Sequence, residues 1–136
     1  MSIHWEESLR VGVPAIDEQH EGIFAHFDKL SEAMQEGKGS EGIGELLNYL
    51  NEYAATHFSD EENLMILYKY HGLEEQRQQH AQFKENIKVL SDMLATNTPA
   101  KEVGVKIDAM LIRYFINHVR ALDSQLGEFI KSKKQT

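Results

Sequence analysis

His57 and Glu61 stand four residues apart in a stretch that also carries Tyr53, Phe58 and Met65, so on a helix an imidazole and a carboxylate would reach one object from one side. His80 shares a three-and-four-residue stripe with Gln76, Phe83, Ile87 and Leu90, and His118 shares one with Leu111, Tyr114, Phe115 and Leu122. His20 falls one turn before Phe24. Imidazoles and carboxylates on apolar stripes cost on the order of several kcal/mol to bury unless they are paired or bound to metal. The absence of cysteine removes zinc–thiolate sites, iron–sulfur clusters, disulfides and cysteine nucleophiles. Nitrogen and oxygen donors without sulfur favour iron, manganese or zinc, and shared carboxylates favour a pair of ions.

Four helix-compatible segments must position these groups, over about 17–36, 40–70, 73–95 and 99–131. The first carries Ile16, Ile23, Phe24, Phe27, Leu30 and Met34 at spacings of three, four and seven and ends at Gly37-Lys38-Gly39. Ser40 is the expected N-cap of the second, which stops at His71-Gly72. Thr98 and Pro99 are the expected N-cap and first residue of the fourth. Short connections and the lack of strand alternation predict an all-α, up-down-up-down antiparallel four-helix bundle, with 1–16 as an N-terminal arm of a single domain spanning 1–136. Level can then be checked by counting. Positions 20 and 80 lie near the starts of odd helices, and 57–61 and 118–123 lie near the ends of even ones. All fall in one slab at most roughly 15 Å thick.

The chain of 136 residues has the size of one domain and ordinary globular composition, 41% apolar and 26% charged. A formal charge of −8 disfavours nucleic acid and anionic lipid as partners. No apolar run reaches the roughly 18 residues that span a bilayer. The first ten residues carry His4, Glu6 and Glu7 where a signal peptide would be apolar, so a cytoplasmic protein is expected; separately, it is expected to be monomeric.

The runs Asp17-Glu18-Gln19-His20, His57-Phe58-Ser59-Asp60-Glu61-Glu62-Asn63-Leu64-Met65, His80-Ala81-Gln82-Phe83 and His118-Val119-Arg120-Ala121-Leu122-Asp123 resemble a bacterial hemerythrin. Trp5 and Val11-Gly12-Val13 with Ile16 resemble that family's N-terminal arm. The resemblance implies two iron ions per chain, joined by an oxo or hydroxo bridge and by the carboxylates of Glu61 and Asp123. It implies that His20 and His57 serve one iron and His80 and His118 the other, and that the protein binds dioxygen reversibly for carriage, storage or delivery rather than acting as an enzyme.

Three positions need separate treatment. Asp123 follows His118 by five residues, about 140° round a regular helix, so a widened turn such as a π-bulge is required to bring both to one face. Gln76 stands where the family normally has a histidine. Three arrangements are open to it: weak binding of iron through its carbonyl oxygen, retention of a water, or a side chain that faces elsewhere. Phe115 stands where bacterial members often have leucine, which implies a reshaped oxygen pocket. Phe24, Phe58 and Phe83 are the other candidates for its wall. Asp17 either orients an imidazole through its free nitrogen or caps a helix. His4, His26 and His71 are read as structural or surface groups, and Asp60 and Glu62 as solvated. Rival readings are a di-iron oxidase or peroxidase with a second open iron position at Gln76, an oxygen or redox sensor, and a bundle holding one metal ion or zinc.

Overall fold

A computed structural model describes residues 6–134, so His4 and Trp5 of the expected arm lie outside the described residues. A 3-10 turn, Glu7–Leu9, is followed by α1 (Pro14–Gln35), α2 (Gly39–Leu67), α3 (Leu73–Ala95) and a long α4 running from 100 to 134. There is no strand among the described residues. The helix α1 begins three residues earlier than expected, because Pro14 occupies its first turn, where the missing N–H costs nothing.

Loops 36–38, 68–72 and 96–99 are too short to cross the molecule, so consecutive helices turn back and pack side by side: α1 on α2, α2 on α3, and α4 on both α2 and α3. Each loop closes its helix in the same way. Gly37, Lys69 and Asn97 take left-handed φ values of 75°, 54° and 63°. The next residue's N–H then reaches back to the helix: Lys38 to the Ala33 carbonyl at 2.8 Å, Tyr70 to Met65 at 2.8 Å and Thr98 to Met93 at 3.1 Å. The expected stop at Gly72 is displaced. Lys69 makes the left-handed turn, although the position would favour glycine, and Gly72 instead precedes the first residue of α3. Lys38 and Pro99 occupy the cap positions expected for Ser40 and Thr98, and neither helix start has a side-chain capping bond.

The helix α4 is irregular in two places, with π turns over Asp108–Arg113 and Val119–Asp123. The second is the widened turn that His118 and Asp123 require. The first has no signal in the sequence. There the Asn86 amide donates to the Met110 carbonyl at 2.9 Å and accepts from Gln82 at 2.9 Å, so a neighbouring helix satisfies a carbonyl in the widened stretch.

Phe24, Phe27, Phe58, Phe83 and Phe115 are among the largest side chains wholly enclosed by the bundle. The arm adds Leu9, Val11 and Val13 to this core. Asp17 ties it down: the buried carboxylate accepts from the N–H groups of Val11 at 2.8 Å and Gly12 at 3.1 Å. The arm can lie against α4 because Gly127 has no side chain; a Cβ there would sit 2.1 Å from the Val11 carbonyl oxygen. No helix among the described residues is long and apolar enough to cross a membrane.

Candidate metal centre

All four helices send a polar side chain to one level of the interior. His20 comes from α1, His57 and Glu61 from α2, Gln76 and His80 from α3, and His118 and Asp123 from α4; none is more than 4% exposed. On α2 the four-residue spacing puts His57 and Glu61 on one face, and on α4 the π turn does the same for His118 and Asp123.

Glu61 sits at the centre. Its Oε2 lies 3.6 Å from His20 Nε2 and 3.5 Å from His57 Nε2, while its Oε1 lies 3.1 Å from His80 Nε2 and 3.9 Å from His118 Nε2. Asp123 divides in the same way: Oδ2 is 3.2 Å from His20 Nε2 and Oδ1 is 3.2 Å from His118 Nε2. Two donor sets result, each with its atoms within 4.8 Å of one another: His20, His57, Glu61 and Asp123, and Glu61, His80 and His118. The amide of Gln76 donates to Asp123 Oδ1 at 3.0 Å, which brings Gln76 to the edge of the second set.

The carboxylates govern the charge state of this cluster. Burial works against ionised Glu61, but His57 and the surrounding imidazoles of His118, His20 and His80 outweigh it and hold the carboxyl well below the usual range. Burial likewise opposes protonation of His20 and His118, yet Asp123 and Glu61 raise them to about 9 and about 10. At His57 burial dominates and lowers it to about 4. Protons would therefore compete with a cation for some of these nitrogens.

His80 Nε2 and Glu61 Oε1 form a hydrogen bond at 3.1 Å, but despite the short distances most of the inward atoms do not satisfy one another. His20 Nε2, His57 Nε2, His118 Nε2, Glu61 Oε2, Asp123 Oδ2 and Gln76 Oε1 have no hydrogen-bond partner among the described residues. Buried polar atoms left in this state cost about 1–3 kcal/mol each. Donor atoms that converge on a common point and for the most part do not bond each other fit metal cations placed between them, and the mixture of imidazole and carboxylate suits iron, manganese or zinc.

Rings close the site. Phe58 stacks on His80 with centroids 4.0 Å apart, and Phe115 meets His20 edge-on at 5.4 Å. Phe115 continues to Phe24 and to Phe83, each at 5.8 Å, and Phe83 to Phe58 at 5.6 Å. All four expected wall residues therefore form one contiguous group over the imidazoles.

Asp17 is not part of this cluster; its bonds to Val11 and Gly12 place it at the foot of the arm. His26 donates to the Gly22 carbonyl at 3.0 Å and stacks on Tyr49, while His71 lies against Tyr70 and Phe129. Glu62 requires a correction. Expected to be solvated, it accepts from His80 Nδ1–H at 2.8 Å and from Arg77 at 3.3 Å. Two further contacts had no signal of their own in the sequence: Gln19 Oε1 accepts from His57 Nδ1–H at 2.6 Å and Gln79 Oε1 from His118 Nδ1–H at 2.8 Å. Asp60 remains exposed and receives the other end of Gln19 at 2.8 Å.

Comparison with known proteins supplies independent findings. Residues 11–130 match the sequence model of the hemerythrin HHE cation binding domain. The chain is 28% identical over 139 aligned positions to a bacteriohemerythrin of Pseudomonas aeruginosa, covering 96% of this chain and 88% of the relative. It is 26% identical to a bacteriohemerythrin of Stenotrophomonas maltophilia, covering 94% and 81% of the two chains. A myohemerythrin of Theromyzon tessulatum is 28% identical, with 88% and 86% covered.

Proposed function

This chain belongs to the hemerythrin HHE cation-binding family, and on that premise we propose that it binds dioxygen reversibly at a pair of iron ions. His20 and His57 with Glu61 Oε2 and Asp123 Oδ2 would hold one ion, and His80 and His118 with Glu61 Oε1 and Asp123 Oδ1 the other. An iron pair held by these residues would supply reversible two-electron chemistry toward dioxygen. One observation carries the reading: buried donor atoms from all four helices converge at one level, and most of them have no hydrogen-bond partner among the described residues.

The protein's part is to hold the donors and exclude water. The Phe24, Phe58, Phe83 and Phe115 rings keep the surroundings apolar, which disfavours the escape of charged products and slows irreversible oxidation. The carboxylates of Glu61 and Asp123 each present one oxygen to His20 and the other to His118, so they would hold ions on both sides. Gln76 supports one of them by donating to Asp123 Oδ1.

Loading the metal-free chain with ferrous iron under anaerobic conditions tests the proposal. Two irons per chain are expected, one for each donor set, with an absorbance change on aeration that reverses under vacuum over repeated cycles. One iron or none, or steady oxygen consumption with an added reductant and no reversible uptake, sinks the carrier reading. The second outcome would favour an oxidase.

Gln76→His would place an imidazole beside Asp123, where an amide now stands. Iron retained after dialysis should rise and autoxidation should slow, each by about tenfold, the lower end of what groups bonded to metal ligands contribute. A variant identical to wild type in both measurements would place residue 76 beyond the reach of the metal.

A further inference from the structure

Each imidazole of the cluster turns Nε2 inward, so the group that meets Nδ1 sets the ring's orientation and its strength as a donor. The acceptors follow a rule. Gln19, beside His20 on α1, serves His57 on α2; Glu62, beside Glu61 on α2, serves His80 on α3; Gln79, beside His80 on α3, serves His118 on α4. A residue next to an inward-facing one lies about 100° round the helix, on the flank that faces the neighbouring helix. No α-helix precedes α1 among the described residues, where His20 Nδ1 also has no hydrogen-bond partner.

The first donor set joins two imidazoles to both carboxylates, the second joins two imidazoles to Glu61 with Asp123 Oδ1 3.2 Å from His118 Nε2, and the two also differ in what stands behind the rings. His57 and His118 lean on neutral amide oxygens, His20 on no group of the described residues, and His80 on a carboxylate. A carboxylate draws the Nδ1 proton and makes Nε2 a stronger donor, more so than an amide can. Arg77 bonds the other oxygen of Glu62 at 3.3 Å and helps to hold the carboxylate in place.

We propose that Glu62 is a positioning residue that makes the two metal positions unequal, so that the first ion taken up goes to His80 and His118 and the second to His20 and His57. The inference rests on the reading above that the two donor sets hold metal ions, and it adds which fills first and why. Glu62 itself touches no ion; it acts through His80.

Calorimetric titration of the metal-free chain with zinc ions alone tests this without relying on oxygen chemistry. Wild type should take up two ions in separable steps. In Glu62→Gln the tighter step should weaken about 10–100-fold, while the weaker one moves by less than about threefold. Glu62→Asp, which keeps a carboxylate, should recover part of the loss. In His57→Ala the tighter step should survive and the weaker one vanish. With cobalt(II), the exchangeable Nδ1–H resonance of His80 should shift and exchange faster in Glu62→Gln. The inference falls if a helical Glu62→Gln chain keeps its tighter step within about twofold of wild type or loses both steps equally. It also falls if His57→Ala loses the tighter step. A wild-type chain that binds no zinc and no iron would instead overturn the functional reading, a result that the variants cannot mimic.

Discussion

Glu61→Ala should abolish uptake of both metal ions, whereas loss of any single histidine should cost one. The reason is geometric: one carboxylate presents Oε2 to His20 and His57 at 3.6 and 3.5 Å, and Oε1 to His80 and His118 at 3.1 and 3.9 Å. No other side chain approaches all four imidazoles this closely among the described residues. Four-ligand zinc sites bind with about 10–16 kcal/mol, so each donor is worth about 3 kcal/mol, and its loss weakens a site on the order of 100-fold. Removing Glu61 applies that loss at two positions together and leaves the imidazoles with Asp123 alone. Metal content after exhaustive dialysis, measured beside His57→Ala and checked for retained helicity by circular dichroism, reads the outcome. A Glu61→Ala chain that keeps both ions would mean that Glu61 bridges nothing.

Stripping metal should lower the melting temperature by on the order of 20 °C, taking each occupied position at free metal about 1,000-fold above Kd as about 4 kcal/mol and each kcal/mol as roughly 2–4 °C for a domain of this length. The expected size of the effect follows from what the bundle encloses. Six inward polar atoms of the cluster have no hydrogen-bond partner among the described residues, and they lie buried between the helices. A metal ion satisfies several at once and links α1, α2, α3 and α4 at one level, so its binding free energy becomes folding free energy. Thermal melts with and without a chelator, with metal content measured in both samples, check this. A chain shown to have lost its metal and still melting within about 3 °C of the loaded form would show that the cluster adds little to the fold.

The sequence was most legible where chemistry and periodicity agreed. His57 with Glu61 could be placed on one face because four residues make one turn, and His20, His80 and His118 because their apolar neighbours recur at three and four. It was least legible at the loops. Gly72 was the natural stop for α2, but Lys69 takes the left-handed turn at φ 54°, because the tertiary packing of Tyr70 and the bond from its N–H to Met65 outweigh the local preference for glycine.

By itself the sequence determined the four helices, their antiparallel order, and the convergence of imidazoles and carboxylates at one level. Those features depend on residue type, helical period and loop length, all of which are local along the chain. Only the tertiary structure decided that Asp17 ties down the arm and that Gln76 bonds to Asp123. It alone showed that Gln19, Glu62 and Gln79 stand behind the imidazoles of the following helix. Each of those contacts crosses between helices, where the rotation of one helix against the next sets which polar flank meets which ring. Asp123 lies between the two cases: spacing alone puts it on the wrong face, and the π turn at Val119–Asp123 brings it round to His118.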